Sequence, residues 1–123
     1  MNMTGKKFPS AALIGDEWVT SAQTYPVVDP ATGETVVQVP DLRAKDTVRA
    51  IDAASDALPG WSALTAKERA AILKRWYDLV VAETEALAQL MTLEQGKPLA
   101  EARGEAAYGA SFIEWFAEEG KWS

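Results

Sequence analysis

The sequence predicts an α+β chain in which short N-terminal β-hairpins precede three or four amphipathic helices. Turn dipeptides break the first third into brief apolar pieces. Apolar residues recur at helical spacing after residue 44. Capping and stop signals separate one helical stretch from the next. Strands first and helices afterwards is an α+β order.

Leu13-Ile14 and Trp18-Val19 flank Gly15-Asp16, a hairpin signal because glycine enters the positive-φ region without steric cost. Tyr25-Pro26-Val27-Val28 is a second extended piece. Pro26 suits an edge strand because it has no N–H to donate. Asp29-Pro30-Ala31-Thr32-Gly33 is a turn. Asp29 bonds its own backbone there and Pro30 presets φ. Glu34 to Val39 alternates, with Thr35, Val37 and Val39 on one face.

The first helix carries Val48, Ile51 and Leu58, and Pro59-Gly60 is expected to end it. The second opens on a capping box, Thr65-Ala66-Lys67-Glu68. Its apolar stripe is Leu73, Trp76, Tyr77, Val80, Leu87, Leu90 and Met91, and Glu83-Thr84-Glu85 kinks it or divides it in two. Gly96 stands at the C-cap and Pro98 stops further turns. The last helix runs from near Pro98 to about Glu119. One of its stripes is Ala102, Ala106, Gly109, Ile113 and Phe116. A second, displaced around the helix, is Gly104, Tyr108, Ser111 and Trp115. Gly104 costs about 1 kcal/mol against alanine inside a helix, so a close approach is expected there. The helices offer more apolar surface than these local strands can cover. The receiving sheet is therefore expected on another polypeptide or on sequence following Ser123.

Composition narrows the chemistry. The 123 residues amount to one ordinary domain, and 48% of them are hydrophobic, which argues against disorder. Twelve basic against 18 acidic residues give a net charge of −6, so nucleic acid and anionic membranes are poor partners. No apolar run is long enough to span a membrane, and Met1 to Ser10 is not a secretory signal. A cytoplasmic protein is expected. Cysteine and histidine are absent, which removes thiolate and imidazole chemistry from this chain. No Gly-rich phosphate loop occurs. The remaining reactive groups are carboxylates, chiefly Glu94, Glu101, Glu105, Glu118 and Glu119. They form an acid/base pair only if burial separates two pKa values, and a solvated helix face otherwise. Phe112, Trp115, Phe116 and Trp122 either line a ligand site or bury against a neighbour.

Specific strings go further. Leu13 to Trp18 followed by Val28 to Glu34 resembles the opening hairpin and strand-turn-strand of an aldehyde dehydrogenase. The runs Ala57 to Trp61 and Leu64 to Leu73 fit that family's next two helices. The run Leu90 to Leu99, then Glu101 to Glu105 and Ser111 to Glu119, is similar to its succinate-semialdehyde dehydrogenase branch. The ordered set spans about Leu13 to Lys121. Lys121-Trp122-Ser123 departs from the family pattern, which continues into an oligomerisation hairpin.

The resemblance implies a tail over 1–12 and, over 13–123, a partial cofactor-domain segment of the α/β aldehyde dehydrogenase fold, mostly helical after 44. The whole enzyme oxidises succinate semialdehyde to succinate with NAD or NADP. A cysteine attacks the aldehyde, hydride passes to nicotinamide and a glutamate activates water. None of those catalytic or cofactor-binding residues falls in this chain, so it is expected to bind no dinucleotide alone and to be inactive alone. Gly104 and Tyr108 match positions in the substrate tunnel. The Val28 carbonyl and the Glu94 side chain match a site for Na⁺ or K⁺, cations that take oxygen ligands. The expected partners are the remainder of the dehydrogenase or a second copy of the chain, in a homo-oligomer, with a small aldehyde as substrate. The alternative is a stand-alone helical interaction module derived from the family.

Overall fold

The computed structural model describes residues 8–122, so part of the expected N-terminal tail lies outside the described residues. These residues form two compact units, 8–62 and 63–122.

The first unit holds two antiparallel ribbons and a helix. β1 (Ala12–Ile14) and β2 (Glu17–Val19) pair with Leu13 opposite Trp18. Gly15 turns the chain between them at φ 64°, with glycine first in the two-residue loop, as a type II′ turn requires. β3 (Thr24–Val28) and β4 (Thr35–Pro40) pair with Val27 opposite Val37 and Val28 opposite Thr35, so the register shifts at this step. The intervening turn is an Asx turn. The Ala31 amide donates to Asp29 Oδ1 at 2.8 Å, and Gly33, at φ 77°, donates to the Asp29 carbonyl at 2.8 Å. α1 spans Ala44–Ala63. Its start is tied by the Arg43 amide donating to the buried Asp46 carboxylate at 3.0 Å. The β1–β2 turn sits on α1, where a Cβ at Gly15 would lie 3.7 Å from that of Ala53.

Pro59-Gly60 does not end α1, contrary to the sequence expectation. Proline removes one backbone bond, yet the helix continues a further turn. There the Ser62 hydroxyl donates to the Leu58 carbonyl at 2.8 Å and to that of Pro59 at 3.2 Å. Val48, Ile51 and Leu58 are all more than half exposed.

The second unit is helical. α2 (Ala66–Ala82) starts on the capping box: the Thr65 amide donates to Glu68 Oε2 at 2.7 Å, and the Glu68 amide returns a bond to Thr65 Oγ1. The Thr65 bonds also hold the Glu68 carboxyl below its ordinary range. The chain breaks at Glu83, and α3 (Thr84–Gln95) follows. Gly96 closes α3 in the left-handed region at φ 76°. α4 runs over Leu99–Glu119 and packs on both α2 and α3.

The buried hydrophobic residues among those described are alanines: Ala70 on α2, Ala88 on α3, and Ala102, Ala106, Ala110 and Ala117 on α4. Alanine lets helix backbones approach closely but removes little apolar surface from water. At roughly 100° per residue, the α4 alanines form one stripe. It is rotated from the predicted stripe, so Ala110 and Ala117 are buried while Phe116, at its margin, is 61% exposed. Trp76, predicted in the apolar stripe of α2, is 55% exposed, whereas the buried residue of that helix is Ala70.

An ion pair fastens α3 to α4. Arg103 Nε and Nη2 donate to the two Glu85 carboxylate oxygens at 2.7 and 2.9 Å, and Gln89 donates to the same carboxylate at 3.0 Å. Arg103, then Gln89, lowers the Glu85 pKa from 4.5 to about 2. A carboxyl lowered in the folded state favours folding above its unfolded pKa. That contribution is lost as pH falls through the folded value. Acid titration followed by circular dichroism should therefore show helix loss between about pH 4.5 and 2. Salt should weaken the effect, because the pair is solvent-exposed. An Arg103→Ala variant with the same acid profile as the parent would contradict this role.

Candidate functional site

α4 presents its second stripe on the side away from the alanines. Tyr108 is 65% exposed, Trp115 62%, and Gly104 and Ser111 are exposed as well. Nothing among the described residues lies within 4 Å of a Cβ built at Gly104. The close approach expected there is thus not made by the described residues: the packed side of α4 is the other one. Beyond Gly104 an open groove of about 700 Å³ follows α4 from Tyr108 to Glu118. Phe112, Trp115 and Phe116 line it, and Glu114 and Glu118 stand among them. Trp122, grouped with these aromatics in the sequence, is 88% exposed.

Two local interactions shape the groove's start. The Tyr108 and Phe112 rings meet edge to face, with centroids 4.8 Å apart and planes at 75°. The Ser111 hydroxyl donates to the Tyr108 carbonyl at 2.6 Å. Sequence reading placed Phe112 among the aromatics but did not join it to Tyr108, although four-residue spacing on a helix is the signal for such a pair.

The carboxylates form no buried acid/base pair among the described residues. Glu94, Glu101, Glu105, Glu118 and Glu119 are all exposed, as a solvated face requires. Lys97 pairs with Glu105, and Lys121 with Glu118 at 2.8 Å. Lys74 donates to Asp78 at 3.0 Å, which raises its pKa. Glu94 borders a smaller, open hollow of about 340 Å³ between α2, α3 and α4, otherwise lined mainly by apolar residues such as Leu87, Leu90 and Met91. Val28 ends β3 in the other unit and is 40% exposed. No three acidic side chains come together as metal ligands among the described residues. None of the described helices is long and apolar enough to cross a membrane.

Comparison with known proteins places this geometry. The aldehyde dehydrogenase family profile matches residues 18–122. A glutarate-semialdehyde dehydrogenase of Pseudomonas putida is 57% identical over 93% of this chain and 24% of its own length. An NADP(+) succinate-semialdehyde dehydrogenase of Escherichia coli is 56% identical over 93% of this chain and 24% of its own. The crystal structure of a succinate-semialdehyde dehydrogenase from Burkholderia pseudomallei superposes with a TM-score of 0.88 at 58% identity, over 95% of this chain and 26% of that one. The chain thus spans about a quarter of the length of these relatives. It belongs to the aldehyde dehydrogenase family and corresponds to an N-terminal segment of its members.

Proposed function

We propose that this chain is the outer, N-terminal part of the cofactor domain of a cytoplasmic NAD(P)-dependent dehydrogenase for succinate or glutarate semialdehyde, and that it is inactive alone. The observation that carries the reading is the mismatch between what the helices bury and what they expose. Alanines fill the seam of α2, α3 and α4, while Trp76, Leu79, Trp115 and Phe116 stay more than half exposed. Apolar surface of that extent calls for a cover. The relatives are about four times longer, and the remainder of such an enzyme, or a second copy within a homo-oligomer, is the cover.

In this reading Gly104 and Tyr108 form one wall of the substrate tunnel. The space at Gly104 and the exposed Tyr108 ring support it. The Glu94 carboxylate of the helical unit offers an oxygen ligand to a Na⁺ or K⁺ ion, and the Val28 carbonyl of the other unit offers an oxygen of the same kind. Their support is chemical, since both offer hard oxygen donors. NAD or NADP supplies the hydride acceptor and is held by residues outside this chain. The thiolate that attacks the aldehyde also comes from outside, since the sequence contains no cysteine.

The test has two arms. The purified chain with either semialdehyde and either cofactor should give no reduced nicotinamide at 340 nm. A chimera in which this segment replaces the matching quarter of the Escherichia coli relative should turn over. Turnover by the chain alone, or a chimera of native oligomeric size with no activity, overturns the reading.

A further inference from the structure

Tyr108 projects from a helix face on which little restrains it, since its residue is 65% exposed. A helical side chain leans toward the helix N-terminus, so the ring leans over the turn that carries Gly104. Gly104 itself offers no side chain there, and, the adjoining backbone of α4 aside, no atom of the described residues lies within 4 Å of a Cβ built at it. The restraint comes from the following turn. Phe112 leans back toward Tyr108 by the same geometry, and the two rings meet edge to face at 4.8 Å. The Ser111 hydroxyl, bonded to the Tyr108 carbonyl at 2.6 Å, fixes the backbone of the turn between them. The ring is thus backed on one side and open on the other.

We propose that Phe112 is a positioning residue for the substrate tunnel: its ring holds that of Tyr108 in one rotamer, with the open side over Gly104 left to the methylene chain of the semialdehyde. This rests on the reading of Gly104 and Tyr108 as tunnel wall. The expected effect lies in binding. Positioning a wall ring acts on the bound substrate and on the transition state alike, so its loss raises KM and leaves kcat nearly unchanged. An edge-to-face pair has an aromatic requirement that volume alone does not meet. Tyrosine should therefore replace Phe112 and leucine should not.

Two measurements test this. In the chimera with the Escherichia coli relative, Phe112→Leu should raise KM for succinate semialdehyde about threefold to tenfold, with kcat within about twofold, and Phe112→Tyr should restore the parent value. Tyr108→Ala is the control for the tunnel reading. If Tyr108→Ala raises KM and Phe112→Leu does not, the positioning role is overturned and the tunnel wall stands. If neither changes KM, the tunnel reading falls and takes the proposal with it. In the 123-residue chain itself, aromatic proton NMR should show the Tyr108 ring signals shifted by the Phe112 ring, with the shift lost in Phe112→Leu and kept in Phe112→Tyr. Tyr108 signals identical in all three chains overturn the proposal without reference to activity.

Discussion

Ala102→Leu is expected to destabilise the helical unit by about 1–3 kcal/mol, the cost of overpacking a filled site. Ala102 is 0% exposed and sits in the seam of α4, a helix that packs on both α2 and α3. Leucine adds three carbons at a residue with no exposed surface, so either α4 moves away or a neighbouring contact opens. A small unit with so little buried surface has few kcal/mol in total to lose. The measurement is the urea midpoint by circular dichroism, with Ala107→Leu as control because Ala107 is exposed. A midpoint unchanged in Ala102→Leu, or lowered equally in the control, would show that the alanine seam is not tightly packed.

The second large effect concerns association. The isolated chain is expected to self-associate, because the exposed faces of α2 and α4 together carry Ile72, Trp76, Leu79, Phe112, Trp115 and Phe116. Its net charge of −6 opposes association, so added salt should strengthen it by screening. Trp115→Glu removes an indole that is 62% exposed and adds a further negative charge to the same face. Full burial of a large apolar side chain contributes about 1.5–3 kcal/mol, so the variant should associate about tenfold to a hundredfold more weakly. Light scattering over a concentration series reads this directly. A monodisperse monomer throughout the series for the parent chain would refute the expectation.

The local features were legible before the structure because their causes lie within a few residues. Gly15 and Gly33 turn at positive φ, Thr65 and Glu68 exchange capping bonds, and Gly96 closes α3 in the left-handed region. Each follows from the steric freedom of glycine or from the reach of one hydroxyl or carboxylate. Pro59 was misread because a rule about one residue was applied without its surroundings. A proline near a helix end costs one bond, and the Ser62 hydroxyl makes the last turn tolerable. Glu85 was legible only as a polar interruption. Its partner Arg103 lies 18 residues away on another helix, a distance no periodicity connects.

The site divides in the same way. The two stripes of α4 could be separated on the sequence, since Gly104, Tyr108, Ser111 and Trp115 stand opposite the small residues at helical spacing. Which stripe is buried could not be read, because hydrophobicity ranks Phe116 and Trp115 far above alanine. The sequence alone determined the order of elements, their caps and turns, the absence of a thiol nucleophile and the likeness to aldehyde dehydrogenases. That α4 turns its alanines inward and its aromatic side outward is settled by helix packing in three dimensions. Close helix packing selects small side chains by shape, and the large rings are left for another surface to cover.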